Sequence, residues 1–215
     1  VRISAYEILP NQRLRHLDQG PIAAYAARPL GQMAVATLYA LIGEPWLVPR
    51  LKALDTISGI SNPNFIRVVH HGVVYWPPVK AERYIVIYEN NLGQPLLRTH
   101  VGNGLGWKND KALSAVIKPV SNVLQDLRDR DTIHGLINPM NMFDGGSKNI
   151  EKIILGDCAA APASFAQPSI FEPIERAQCD PLGRGLGTFE DDMYALGVTL
   201  TILLRSRDPM EGMTD

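Results

Sequence analysis

The sequence predicts an α+β fold of two lobes: an antiparallel β lobe with one helix, followed by a mainly helical lobe. Three observations predict it. Short runs rich in Val, Ile and Tyr occupy much of residues 5–89. A turn-forming stretch, Asn90-Asn91-Leu92-Gly93, then interrupts the pattern. Beyond it, apolar residues recur at helical spacing. We therefore expect a first lobe over residues 1–89, a hinge at 90–93 and a second lobe over 94–215.

The composition is that of a globular chain whose net charge favours no strongly charged partner. The 215 residues are 46% hydrophobic and 20% charged, and 21 basic against 22 acidic residues give a net charge of −1. We expect no nucleic-acid partner. The two cysteines, Cys158 and Cys179, have neither metal-ligand nor disulfide spacing, so a cytoplasmic localisation is expected. The longest apolar run, Met193 to Leu204, is shorter than the about 18–20 residues that cross a bilayer, so no membrane segment is expected.

The first lobe is predicted to begin with three antiparallel strands. They lie at residues 5–9, Ile22 to Arg28 and Met33 to Ile42, and turn signals at Gln19-Gly20-Pro21 and Pro29 to Gln32 separate them. The Ala-rich second and third runs are also compatible with helix.

A helix and two longer strands complete this lobe. The helix should start at Glu44-Pro45 and end at Gly59, with Leu47, Leu51, Leu54 and Ile57 on one face. Phe65 to Trp76 and Arg83 to Glu89 are predicted strands, and Pro77-Pro78 separates them.

The second lobe should open with a long helix from Asp110, kinked at Pro119. Its predicted remainder is a loop from His134, short strands at Met142-Phe143 and Ile153 to Leu155, a Pro/Gly/Ala-rich segment from Ala159 to Thr188, and a helix from Asp192 to Arg205. Two glycine-rich runs, at 102–106 and 183–187, are interpreted as loops because neither joins a strand to a phosphate-binding helix.

Four motifs of the second lobe carry a resemblance. They are His134-Gly-Leu-Ile-Asn-Pro-Met-Asn141, Asp157-Cys-Ala159, Phe171-Glu-Pro-Ile-Glu175 and Asp191-Asp-Met-Tyr-Ala-Leu-Gly197. In this order and spacing they resemble the catalytic half of the protein kinase family, whose motifs read His-Arg-Asp-Leu-Lys-Pro-x-Asn, Asp-Phe-Gly and Ala-Pro-Glu, followed by a central helix. The segment before the last helix is similar to bacterial Ser/Thr kinases. The resemblance implies a two-lobed protein kinase-like fold with a truncated C-lobe. Because the chain begins at Val1 instead of Met, we expect a fragment of a longer protein.

The groups that the resemblance assigns to phosphoryl transfer are replaced in this loop. The position of the catalytic base is Leu136, which has no proton acceptor, and general-base catalysis is typically worth about 10²–10⁴-fold. The position of the loop Lys is the neutral Asn138, and that of the loop Arg is Gly135.

The first lobe shows the same kind of loss. Residues 10–20, where the resemblance implies a glycine-rich loop, contain only Gly20. The Lys of the third strand would fall near Leu41-Ile42, and Arg28 is the nearest cation. Its partner Glu would fall near Ala53, and Asp55 is the nearest acid.

Scaffold positions of the family are retained. Asn141 and Asp157 match its metal-binding residues and are the candidate Mg²⁺ and ATP ligands, with a purely structural role for Asp157 as the alternative. His134, Glu175 and Asp192 are interpreted as structural residues, with Asp192 bonded to backbone amides of the His134 loop. We expect no catalytic residue and no cofactor.

The selective loss favours a pseudokinase: a catalytically inactive signalling or regulatory module that binds a protein partner. One alternative is an atypical active Ser/Thr kinase or phosphotransferase that binds Mg-ATP through Asp157 and Asn141. The other is an interaction domain whose likeness to kinases is coincidental. We also expect exposed Leu200, Ile202, Leu203 and Leu204 on the last helix to support self-association.

Overall fold

A computed structural model of the chain describes residues 1–32, 36–99, 106–147 and 149–205. The chain divides into two compact units. The first comprises Val1–Ser61, Ile66–Asn91 and Ala159–Pro162, and the second comprises Asn62–Phe65, Leu92–Cys158 and Ala163–Asp215. Strands dominate the first unit and helices the second, which is the predicted α+β plan.

A six-stranded sheet forms the first unit. Its strands are β1 (Arg2–Ile3), β2 (Tyr6–Arg13), β3 (Ala23–Pro29), β4 (Leu38–Ile42), β5 (Val68–Trp76) and β6 (Ala81–Glu89). They are ordered β1-β2-β3-β4-β6-β5, and every neighbouring pair is antiparallel. The Ala-rich runs are therefore strands, because sheet pairing on both sides overrides their helical propensity. Residues 33–35 of the predicted third strand lie outside the described residues.

One face of this sheet builds an apolar core. Its fully buried members come from strands that neighbour each other: Ile8, Ala27, Leu38, Ala40, Ile42, Trp76, Ile85 and Ile87. Trp76 packs edge-on against Tyr25 at 4.9 Å between ring centroids. A 3₁₀ turn at Pro77–Val79 separates β5 from β6, as the two prolines predict.

The helix of the first unit begins later than predicted. Helix α1 spans Leu51–Ser58, and Gly59 follows it as expected. Residues 44–50 are outside the helix, and Trp46 is exposed. Prolines 45 and 49 explain the difference, because each lacks a backbone N–H and disfavours helical geometry in the residue before it. Leu47 is buried as the predicted helical face requires, but it lies in the loop before the helix.

The first long helix of the second unit contains a π-helical turn. Helix α2 (Asn109–Ala112), the π turn (Leu113–Ile117) and helix α3 (Lys118–Arg128) follow one another without a break. Pro119 has no N–H to donate to the carbonyl of Ala115, four residues earlier. That carbonyl accepts a hydrogen bond from Ile153 N–H instead, at 3.0 Å. The predicted irregularity at Pro119 thus takes the form of a π turn that ties the helix to the strand region.

The rest of the second unit contains two short strands and two helices. They are β7 (Met142–Phe143), β8 (Ile154–Leu155), α4 (Ile174–Ala177) and α5 (Phe189–Arg205). The predicted run 183–187 is loop apart from the end of a 3₁₀ turn, and all of the run 102–106 except Gly106 lies outside the described residues. In the described part of the chain, no helix is both long and apolar enough to span a bilayer.

The predicted exposed face of α5 is wrong for two of its four residues. Ile202 and Leu203 are buried, whereas Leu204 is exposed and Leu200 is half-buried. Helical periodicity places Ile202 and Leu203 on the inner face with Ala195, Leu196 and Thr199. The carbonyl of Leu203 also accepts a hydrogen bond from Trp107 N–H, at 2.9 Å.

Candidate functional site

The loop that joins α3 to β7 lies in the interior of the second unit. Within it His134, Gly135, Leu136, Ile137, Asn138, Pro139 and Asn141 are all buried. A buried loop must satisfy its backbone polar groups inside the protein. Its side chains are therefore engaged with the chain itself.

His134 holds the loop together from within. Its ring is fully buried and meets the ring of Phe65 edge-on at 5.9 Å. Nδ1 accepts a hydrogen bond from Leu136 N–H at 3.2 Å, so the proton of the neutral ring is assigned to Nε2, which donates to Gly156 O at 3.3 Å. Both ring nitrogens therefore serve the backbone.

Asp192, in the first turn of α5, fixes the start of the same loop. Its two carboxylate oxygens accept hydrogen bonds from His134 N–H and Gly135 N–H, each at 2.7 Å. The carboxylate is buried, so these bonds to a charged acceptor anchor the loop strongly. The contacts are those that the resemblance implies for this residue.

Leu136 and Asn138 offer no group to a reacting phosphate. Leu136 is a buried apolar side chain. Asn138 Oδ1 accepts from the backbone N–H groups of Met140 and Asn141, and its Nδ2 donates to Gln167 Oε1 at 2.8 Å. Asn138 is 2% exposed, so its amide is turned into the loop and away from solvent.

Asn141 and Asp157 lie together in the buried interior of this unit. Asn141 Nδ2 donates to the carbonyls of Leu136 and Asp157, at 2.9 Å each. These two acceptors fix the orientation of the amide. Asn141 Oδ1 is buried and accepts no hydrogen bond within the described residues. It packs against Gly156, where a Cβ would collide with it and with the ring of Phe143.

The side-chain oxygens of Asn141 and Asp157 are ligands of the kind that Mg²⁺ binds, but their burial does not fit a hydrated Mg²⁺ ion. Amide and carboxylate oxygens are the ligands that Mg²⁺ takes, and Asn141 Oδ1 is an oxygen with a free acceptor site. Mg²⁺ keeps several waters in an octahedral shell, however, and Asn141 Oδ1 and Asp157 are both closed off from solvent. Among the described residues, no cluster of three or more His, Cys, Asp or Glu side chains could hold a metal.

A buried polar network holds residues 163–191 against the loop. Ser164 N–H donates to Gly135 O at 2.8 Å, and Gln167 Nε2 donates to Ile137 O at 2.9 Å. Gly135 has φ +73°, and a Cβ there would lie 3.1 Å from Ala163 Cβ. An arginine at this position, as the kinase family has, would strain the backbone and crowd Ala163.

The buried acid of this segment is Glu172, and not Glu175, the acid to which the resemblance gives a structural role. Glu175 is exposed. Glu172 is 4% exposed, and its Oε2 accepts from Arg176 Nε at 2.8 Å, while Arg184 lies 4.0 Å from Oε1. Arg176 also lies 3.5 Å from Asp191. Helix α4 begins at Ile174, so its first turn directs the side chain of residue 175 outward.

Sequence reasoning missed Gln167, Arg176 and Arg184. The spacing of Glu172 and Arg176 by four residues is a recognisable signal for an ion pair. No comparable signal exists for Arg184, whose Nη1 donates to the carbonyls of Ser164 and Gln167 at 2.9 and 2.7 Å. These partners lie 20 and 17 residues away, so only the folded chain brings them together.

Among the described residues of the first unit, the positions expected to bind nucleotide are apolar or engaged elsewhere. Leu41, Ile42 and Ala53 are buried apolar residues. Arg28 pairs with Glu7 across the β2–β3 register at 2.7 Å, and this hydrogen bond holds the pKa of Glu7 below its usual value. Asp55 is exposed, and its carboxylate lies 3.9 Å from the ring of His71.

The turn between β2 and β3 is an ordered, side-chain-stabilised structure. A 3₁₀ turn at Arg15–Leu17 buries Leu17. Asp18 accepts from the Arg13 guanidinium at 2.8 Å and from Ala24 N–H at 2.8 Å. Backbone N–H groups in this turn are therefore not arranged as a glycine-rich phosphate cradle.

Among the solved structures that share this architecture are two kinases. A kinase of Cydia pomonella granulovirus, PK-1, matches with a TM-score of 0.65 and 18% identity, over 95% of this chain and 70% of that one. The kinase domain of Mycobacterium tuberculosis PknI, as a point mutant, matches with a TM-score of 0.66 and 13% identity, over 97% of this chain and 77% of that one. No family model matches the sequence, and no curated protein matches it. The chain therefore has a two-lobed protein kinase-like fold, and a coincidental likeness to kinases is not supported.

Proposed function

We propose that this chain is a pseudokinase module: a kinase-like domain that transfers no phosphate, binds little or no ATP and acts by binding another protein. The observation that carries the proposal is the use of Asn138. At the position of the loop Lys, its side chain is buried and bonded to the backbone and to Gln167. Leu136, at the position of the base, accepts no proton. Phosphoryl transfer depends on positioned charge, and neither group supplies it.

The setting that we propose is a bacterial signalling or regulatory protein in the cytoplasm. Cys158 and Cys179 remain thiols and form no disulfide with each other, which suits a reducing compartment. The retained bonds from Asp192 to the His134 loop support a role for the domain as a stable scaffold.

A second candidate is an atypical phosphotransferase that holds Mg-ATP through Asp157 and Asn141. The unsatisfied Asn141 Oδ1 favours it, because buried oxygens without partners are uncommon and a cation would supply one. This candidate requires the two side chains to become accessible, since both are buried. It also requires a proton acceptor other than Leu136.

A thermal-unfolding titration separates the two candidates. ATP is added with Mg²⁺, with Mn²⁺ and without metal, and an active kinase domain serves as the positive control. Ligand at 100 times its Kd adds about 2.7 kcal/mol to the free energy of unfolding, which raises Tm visibly. We expect no shift, and no transfer of labelled phosphate to the chain or to a generic protein substrate.

The outcome that contradicts the proposal is a metal-dependent shift that Asp157→Ala abolishes. Phosphate transfer lost in the same variant would establish the second candidate. The double variant Leu136→Asp, Asn138→Lys restores the identities of active kinases at two loop positions only. We expect it to remain inactive, because both positions are buried and the positions expected to bind nucleotide in the first unit are unchanged.

A further inference from the structure

Helix α5 is largely apolar on both of its faces. Its inner face is buried and carries Asp192, Ala195, Leu196, Thr199, Ile202 and Leu203. Its outer face carries residues that are exposed or half-buried: Met193, Tyr194, Gly197, Leu200, Thr201 and Leu204. Spacings of three and four residues place these six on one side of the helix, and we call them the α5 outer face. A helix that is apolar all round is ordinarily covered on all sides.

Helical geometry makes the α5 outer face one continuous surface. Met193 and Tyr194 are each 43% exposed and Leu204 is 38% exposed, and the face extends about 16 Å along the helix. The hydroxyl of Thr201 donates to Gly197 O at 2.9 Å, so it is already bonded within the helix. Exposed apolar side chains at 46 and 48 differ, because they lie in a loop and no helical spacing places them on a common face.

Gly197 lies at the centre of α5 and of its outer face. The helix has 17 residues, Phe189–Arg205, and Gly197 is the middle one. A Cβ at this position would meet no atom of the rest of the chain within 4 Å, so packing within the chain does not require a glycine. Glycine inside a helix lowers its stability relative to alanine. What glycine permits is the close approach of another backbone.

Charges at the two ends of α5 indicate what covers the outer face. Glu190 lies in the first turn and Arg205 in the last, and both are exposed. Among the described residues neither has an ionic partner, whereas Asp191 lies 3.5 Å from Arg176. A second α5 that crosses antiparallel at Gly197 places Glu190 of each copy near Arg205 of the other. It also opposes the two helix dipoles, whereas a parallel crossing sets like charges against each other.

We propose that the α5 outer face is a self-association surface, on which two copies of the chain pair their α5 helices antiparallel about a two-fold axis at Gly197. Residues equally far from Gly197 on either side then oppose each other, so Tyr194 of each copy faces Leu200 of the other and Met193 faces Thr201. Such a contact is isologous, and it covers the outer face of both copies at once. The proposal goes beyond the proposed function, because it requires neither a nucleotide nor a different protein.

The size of this contact sets the expected affinity. One helix face from each copy is a small interface, at the low end of specific contacts and below about 1,200 Å² in total. We therefore expect a reversible dimer with a Kd in the micromolar range. Sedimentation velocity over a series from about 1 to 300 µM covers this range. Low ionic strength is used, because exposed charge pairs are then least screened.

Gly197→Ala tests the crossing point without harming the folded chain. The added Cβ has open space within the chain and favours helix, so the Tm of the dilute variant should be at least that of the unaltered chain. The same Cβ pushes the two helices apart where they cross, so we expect the Kd of the dimer to rise about tenfold or more. Gly183→Ala is the matched control, because its Cβ also meets no atom within 4 Å. It should dimerise as the unaltered chain does.

A charge exchange tests the antiparallel pairing. Glu190→Arg and Arg205→Glu each bring like charges together when the variant is alone, so the Kd of each should rise about threefold or more. In an equimolar mixture, heterodimers of the two variants again have opposite charges at both ends. We expect the mixture to dimerise as the unaltered chain does.

The inference is overturned if the unaltered chain sediments as a monomer up to about 300 µM. A dimer that Gly197→Ala leaves unchanged also overturns it, because the contact then lies elsewhere on the chain. Charge variants that do not recover when mixed would exclude the antiparallel arrangement. The nucleotide titration does not depend on this result, so the proposed function and the self-association surface can fail separately.

Discussion

The side-chain amide of Asn138 donates a hydrogen bond to Oε1 of Gln167, at 2.8 Å, and both side chains are buried. This contact links two parts of the second unit. One is the His134 loop, which would hold the catalytic charges in an active kinase, and the other is the segment that follows β8. Gln167 completes the link by donating to Ile137 O. A polar pair of this kind holds one conformation only while both partners are present.

Loss of either partner should destabilise the chain. Asn138→Ala leaves Gln167 Oε1 and Met140 N–H without their partner, whereas Asn141 N–H keeps its hydrogen bond to the carbonyl of residue 138. Each unsatisfied buried group costs about 1–3 kcal/mol. Gln167→Ala leaves Asn138 Nδ2 and Ile137 O without theirs, so we expect a cost of similar size. Urea unfolding of the single and double variants measures both costs and their coupling.

Gln125→Ala is the control for this pair, since Gln125 makes an exposed hydrogen bond to Asp129. We expect it to change the free energy of unfolding by less than about 0.5 kcal/mol. An Asn138→Ala variant as stable as this control would show that the Asn138–Gln167 contact does not hold the loop.

A side chain at position 135 should be costly. Gly135→Ala places a Cβ 3.1 Å from Ala163 Cβ at a backbone φ of +73°. Strain of this kind costs about 1–3 kcal/mol. Gly183→Ala is the matched control, because a Cβ there meets no atom within 4 Å and its φ is not positive. Thermal unfolding of the two variants should separate them clearly, and equal Tm values would contradict the close packing of Gly135.

Asp192→Asn should loosen the His134 loop. The amide retains only one oxygen for the two N–H donors of His134 and Gly135, and the charge is lost. Hydrogen bonds to charged groups contribute about 1.5–3 kcal/mol, so we expect a loss of this size in urea unfolding. Glu190→Gln, two residues earlier on the exposed side of α5, should be close to neutral. If both variants unfold alike, the carboxylate of Asp192 is not an anchor.

Stability should fall below neutral pH because of His70. Burial, and then the neighbouring His71, lower the pKa of His70 below its ordinary value of 6.5. The unfolded chain then binds more protons than the folded chain between that lowered pKa and 6.5, so the free energy of unfolding decreases as pH falls through this interval. His70→Phe should flatten this part of the curve.

Urea unfolding at a series of pH values from about 7.5 to 5 measures the effect, over the range in which histidine titrates. A curve for His70→Phe that is parallel to that of the unaltered chain would place the pH dependence elsewhere.

Local pattern determined most of the architecture. Strand-rich runs, the Pro77-Pro78 break, the strands at Met142-Phe143 and Ile153 to Leu155, and the last helix follow from periodicity and turn chemistry, which act over a few residues. The start of α1 was misplaced because apolar spacing alone does not register the cost of Pro45 and Pro49. The exposed face of α5 was misjudged because the segment that meets the end of this helix, where Trp107 N–H donates to Leu203 O, lies far away in sequence.

The sequence also shows that two expected reacting groups are replaced, because Leu136 and Asn138 cannot do the chemistry of Asp and Lys in any conformation. Only the tertiary structure decided which acid is buried. Glu172 and Glu175 are both acidic and three residues apart, and the choice depends on the direction of the first turn of α4 and on the cations beside Glu172: Arg176 at 2.8 Å and Arg184 at 4.0 Å. The spacing to Arg176 is readable in the sequence, but a linear pattern does not specify that Arg184, twelve residues beyond Glu172, returns to the same carboxylate.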